Sequence, residues 1–161
     1  MLAVQLVQLI ESPVEQLSRE LSEKAWNASQ CSDLRKVPAS ELEARTREIY
    51  RNLCDWLLDK TETQVERRYT ELGARRAQQG VSYSHVYWAI TATKQHVHSF
   101  IQREGLSDNA MELRTELELL HLVGQFFDHA LYYTAVGYER ERVHIGGSQR
   151  RRKGDEQSKA T

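Results

Sequence analysis

Glu118 and His121 stand three apart, the spacing by which one helix offers two ligands to a di-iron centre in ferritin-like bundles. Such a centre takes a second E-x-x-H from another helix. The other instance here, Glu141 and His144, falls at the far end of the same helical segment. The pair therefore reads as part of a solvated polar arc, and no metal is expected. His96 and His98 are two apart and point about 160° away from each other, too divergent to chelate one ion. His85 and His96 both flank an apolar stripe and are placed to line a ligand pocket. Haem held by one histidine, or a small apolar ligand inside the bundle, is the alternative reading of this chain. Asp128 with His129, and Tyr132 with Tyr133, are neighbours that diverge around a helix and build no triad. Cys31 and Cys54 lack a CxxC spacing, which argues against a disulfide framework, a zinc ribbon or a thioredoxin-like site and fits a reducing cytoplasm. Gly146 and Gly147 do not lie between a strand and a helix, so no phosphate-binding loop is read there. No catalytic residue is expected, and the chain reads as a non-enzyme. Trp26, Trp56 and Trp88 read as core or interface anchors rather than a ligand cage.

The elements that would position these residues are helical throughout. A chain of 161 residues, 40% hydrophobic and 28% charged, fits one domain with its own core. No apolar run reaches the roughly 18 to 20 residues of a membrane span. The opening M-L-A-V-Q-L-V-Q-L-I lacks a basic lead and is interrupted by Gln5 and Gln8. It reads as a first helix docking by Leu2, Leu6, Leu9 and Ile10, not as a cleaved secretion signal. Ser12-Pro13-Val14-Glu15 carries a hydroxyl cap, a proline at the first helical position and a glutamate able to bond back, so a helix is expected from there to about Asn27. A linker follows over 28–37. Pro38 then opens a helix through Leu42, Ile49, Leu53, Trp56 and Leu57, ending near Lys60. Thr61 or Thr63 caps the next, which runs through Val65, Tyr69 and Leu72, turns polar and wet, and stops at Gly80. Ser82 caps another, with Val81 and Val86 as a hydrophobic staple. The last helix runs from near Asp108 to about Val143. No alternating β-branched run suggests a strand.

The last two helices are apolar over too wide an arc for ordinary surface helices. Turning 100° per residue, Leu113, Leu117, Leu120, Gly124, Phe127, Leu131, Ala135 and Tyr138 form the expected core stripe of the final helix. A second row, Leu119, Leu122, Phe126 and Tyr133, falls on the far side. In the preceding helix Tyr83, Val86, Ala89, Ile90, Thr93, Val97, Phe100 and Ile101 face the core, and Trp88, Ala92 and Ser99 give the back a smaller contact face. An exposed apolar row of this kind marks an interface. Trp88, Leu119, Leu122, Phe126 and Tyr133 are therefore the expected contacts of a homodimer, the alternative being that the amino-terminal helices cover them.

The run L-G-A-R-R-A-Q-Q-G-V-S-Y-S-H-V-Y-W-A-I-T-A-T-K-Q-H-V-H-S-F-I, followed by E-L-E-L-L-H-L-V-G-Q-F-F-D-H-A-L-Y-Y-T-A-V-G-Y-E-R-E, resembles the amino-terminal domain of RsbT co-antagonist proteins of the RsbRD type. The resemblance covers about residues 17–142. It implies a cytoplasmic, helical, dimerising input module of a signalling protein, ordinarily placed ahead of a STAS domain, a histidine kinase or a DNA-binding regulator. In this sequence only a tail follows, so no phosphoacceptor or kinase role is carried over, and the output partner is expected to be separately encoded. The expected architecture is all-α, a bundle of about five helices with a long carboxy-terminal helix, globin-like in one arrangement. Residues 1–145 form the helical input and dimerisation domain and 146–161 a disordered basic tail. That tail gathers Arg150, Arg151, Arg152, Lys153 and Lys159 against Asp155 and Glu156, so the folded part is acidic at a formal net charge of −1 overall. An acidic body is ill suited to hold nucleic acid, and neither nucleic acid nor membrane is expected as a partner.

Overall fold

The protein is described by a computed structural model that covers residues 2–11, 13–59, 61–104 and 110–159. Expectations that fall on Ser12, on Lys60 and on the break at 105–108 lie outside the described residues. The described elements are all helical: α1 (Leu2–Glu11), α2 (Val14–Asn27), a 3-10 segment (Ser29–Lys36), α3 (Ala39–Asp59), α4 (Glu62–Gln78), α5 (Tyr83–Glu104) and α6 (Ala110–Lys159). Among the described residues no helix is long and apolar enough to cross a membrane.

α1 docks through Leu6 and Ile10, both buried, with Leu9 packed at the core's edge. The expected linker after α2 is instead a folded 3-10 segment. Its buried residues Cys31 and Leu34, and Val37 just past its end, recur every third position, the repeat of a helix with three residues per turn. α4 stops at Gly80, whose φ of +71° is the left-handed conformation glycine adopts without a Cβ penalty. Val81 and Val86 are both buried, as a staple across the start of α5 requires.

α4 and α6 run side by side in the same direction. Glu62 meets His129 and Tyr133, Thr70 lies against Gly137, and Gln78 reaches Glu141. Their closeness depends on two glycines. A methyl at Gly73 would collide with the Thr134 carbonyl and sit 2.8 Å from the Tyr138 amide nitrogen, and one at Gly137 would collide with the Thr70 carbonyl. This approach corrects the expectation that α4 ends wet, because Gly73, Arg76 and Ala77 are buried. α5 runs antiparallel to α6, with Tyr83 stacked on Tyr138 at 5.3 Å and Lys94 3.4 Å from Asp128. Phe126 of α6 is the centre of the core, touching the rings of Trp56, Tyr69 and Phe127 at 5.9, 5.8 and 5.2 Å between centroids.

The two apolar rows of α6 are assigned in part differently from the sequence reading. Leu119 and Phe126, expected at an interface, are fully buried within the chain, and Leu122 and Tyr133 are half-buried against the same core. Of the expected core stripe, Phe127 and Tyr138 are buried and Leu120 and Leu131 pack against the core, whereas Leu113 and Leu117 are 51% and 59% exposed. The physical reason is that both rows are apolar, so periodicity leaves the choice open. The close approach of α4 through Gly73 and Gly137 decides it. On α5 the expected core stripe faces inward: Val86, Ile90, Thr93, Val97, Phe100 and Ile101 are buried and Tyr83 and Ala89 half-buried.

α6 also continues through the segment expected to be disordered, 50 residues in all, or roughly 75 Å at 1.5 Å per residue. Residues 146–159 bury nothing. A helix satisfies its backbone hydrogen bonds internally, and Gln, Arg, Lys and Glu are good helix formers, so this segment takes the helical form without a core beneath it.

Candidate functional site

Large apolar side chains left exposed on α5 and α6 form the outstanding feature of the surface. Trp88 is 37% and Tyr132 64% exposed, and Tyr87, Leu113 and Leu117 are exposed as well. On α6, Leu113, Leu117 and Tyr132 fall within an arc of about 100°, with half-buried Leu120 and Leu131 at its edge. On α5, the expected back face of Trp88, Ala92 and Ser99 forms one wall of an open groove of about 830 Å³ whose other wall is α2, through Glu20, Lys24 and Ala28. Trp88 is thus the one member of the expected interface set that stands at the surface. On α6 the large apolar side chains at the surface are Leu113, Leu117, Tyr132 and Val143.

His85 and His96 do not share a pocket. His85 Nδ1 accepts the backbone N–H of Asp33 at 3.0 Å, and the Asp33 carboxylate accepts the Ser82 N–H at 2.9 Å together with its hydroxyl. The 3-10 segment is thereby fastened to the first turn of α5, and the Ser82 hydroxyl, expected to cap that turn, donates to Asp33 instead. The Ser82 hydroxyl and amide hold the Asp33 carboxyl below its ordinary range. His96 instead lies toward α2 and α3. Its Nδ1 is 2.6 Å from the Tyr50 hydroxyl and its Nε2 3.7 Å from Glu20. Burial pushes the Tyr50 phenol well up, so it stays protonated, while burial pushes His96 down despite the nearby Glu20 carboxylate. The cavity among Leu21, Leu34, Leu42, Val86 and Ile90 is about 50 Å³, against roughly 300 Å³ or more for an ordinary ligand site.

Glu118 and His121 are both exposed, and Glu118 lies 3.6 Å from Arg114. Glu141 accepts from Gln78 on α4. Both cysteines are free and buried. Burial raises Cys31 to about 11 and Cys54 to about 12, and thiols held protonated in this way are poor nucleophiles.

Sequence reasoning missed a polar cluster between α3 and α4. Arg76 is 3% exposed, and its charge is met by Glu41, 3.2 Å away, which also receives Arg75 at 2.6 Å and Gln79 at 3.1 Å. The Arg75 hydrogen bond, helped by Gln79 and Arg76, brings Glu41 down to about 2. No spacing within either helix signals this cluster, since Glu41 lies 34 or more residues from Arg75, Arg76 and Gln79.

No curated protein and no solved structure matches this chain. A family model does, over residues 8–153, the stretch that contains every element from α2 to α5, part of α1 and most of α6. The chain belongs to the family described as the RsbT co-antagonist protein rsbRD N-terminal domain.

Proposed function

We propose that the chain is a non-enzymatic input module of bacterial stress signalling that works through protein contacts. In this reading it pairs with a second copy through the outer face of α5 and α6. A change in packing there is passed along α6 to a separately encoded output protein, of the STAS, kinase or transcription-regulator class. The two free buried thiols suit a cytoplasmic setting. Family membership supports the signalling class. The observation that carries the pairing is the exposed apolar side chains Leu113, Leu117 and Tyr132 on α6, together with Tyr87 and Trp88 exposed on α5. Apolar surface of this kind gains by removal from water at about 25 cal/mol per Å².

Light scattering on a sizing column at tens of micromolar tests this reading. The intact protein should elute as a dimer and Leu117→Glu as a monomer of unchanged melting temperature. Phe126→Ala, in the core, should lose about 3 to 5 kcal/mol of stability. A monomeric wild type, or a Leu117→Glu variant that still dimerises, would defeat the proposed pairing.

A further inference from the structure

A second cleft, about 740 Å³, opens between α3 and α4 and is lined by Arg45, Arg51, Arg67, Arg68 and Arg75 against the carboxylates of Glu48, Asp55 and Glu71. Three of these arginines are engaged: Arg45 with Glu48, Arg68 with Asn52 and Asp55, and Arg75 with Glu41. Arg51 on α3 and Arg67 on α4 are exposed and have no ion pair among the described residues. Two uncommitted guanidinium groups therefore border one concave site in a protein whose net charge is −1.

Tyr69 supplies an independent sign. Its ring packs edge-on against Phe126 and the residue is only 2% exposed, yet its hydroxyl has no hydrogen-bond partner. Asn52 lies near enough to influence the phenol, but its carboxamide oxygen accepts from Arg68 and the geometry makes no bond to Tyr69. A buried hydroxyl left without a partner is costly, and this one belongs to a residue that lines the arginine cleft.

We infer that this cleft binds a small molecule bearing phosphate or diphosphate. Guanidinium groups pair with phosphate oxygens through parallel N–H donors, so Arg51 and Arg67 approach the anion from opposite walls. The Tyr69 hydroxyl donates to it from below. That hydroxyl is sealed from water in the free protein, so it reaches the anion only when a neighbouring side chain moves, a movement assigned to Arg68, which borders the cleft and is held there by Asn52 and Asp55. The volume lies within the roughly 300 to 1,000 Å³ of small-molecule sites. The inference is independent of whether the chain pairs with a second copy.

Titration calorimetry on the full chain, with inorganic phosphate and inorganic pyrophosphate at constant ionic strength set by sodium chloride, tests it. Saturable binding of one anion per chain is expected, tighter for pyrophosphate if the site takes a diphosphate and equal for the two if a single phosphate suffices. Affinity should fall at least tenfold in the Arg51→Gln/Arg67→Gln double variant, whose replaced side chains hold no other group in place. Tyr69→Phe should weaken binding severalfold while leaving the free protein's melting temperature unchanged or raised, because the hydroxyl it removes is unpartnered. Absence of saturable heat to millimolar anion, or equal binding by the double variant, would overturn the inference.

Discussion

Arg76 shows what a single buried charge demands. It is placed inside the protein by the packing of α4, where burial depresses its pKa, and Glu41 is its nearest countercharge. Replacing Glu41 with Gln keeps the shape but leaves the guanidinium uncompensated. Loss of one partner of a buried pair costs about 3 to 5 kcal/mol, and since Glu41 is 17% exposed about 2 kcal/mol is expected, read as a lower urea midpoint at pH 7. The histidines set a pH dependence. His96 and His98 are both pushed below the ordinary histidine value by burial, with Lys94 adding to the effect at His98 and Lys24 and Arg103 outweighing little of Glu20's opposing pull at His96. The unfolded chain therefore binds more protons than the folded one near pH 6. The stabilisation is complete above about 6.5 and is lost as pH falls from there through the folded values. The urea midpoint should be lower at pH 5.5 than at 7.5, and His96→Gln, which retains an acceptor for Tyr50, should reduce that difference. An unchanged pH slope in the variant would assign the effect elsewhere.

Among the elements, α4 and α6 are held at backbone distance by Gly73 and Gly137. Alanine at either position meets rigid carbonyls rather than movable side chains, so the helices must separate. A loss of roughly 2 kcal/mol or more is expected for each, measured by thermal melts. Gly124 in the same helix gives the opposite sign. Nothing lies within 4 Å of an added methyl there, so Gly124→Ala should gain about 0.5 to 1 kcal/mol from helix propensity alone. A shared sign for Gly124 and Gly137 would contradict the packing described.

For the molecule as a whole, the end of α6 is a rod without a body behind it. Isolated helices of this length are marginal in water, and residues 146–159 are exposed throughout. Amide exchange there should be much faster than at Phe126 or Thr134, and a chain ending at Ile145 should melt at the same temperature as the intact protein. A substantial drop would mean that the extension packs against something.

Much of this protein was settled by local chemistry. The helices, the boundaries at Pro38 and Gly80, the valine staple and the core stripe of α5 follow from propensity and period, which act within a few residues. Sequence likeness over α4 to α6 was enough to name the family. The direction in which α6 faces was decided only by tertiary structure, because Leu119 and Leu117 are equally apolar and two glycines 64 positions apart in the chain choose between them by allowing contact. The same holds for the Arg76 cluster, for the separate duties of His85 and His96, and for the arginine cleft. Each depends on residues distant in sequence being brought together, and no helical period encodes such distances.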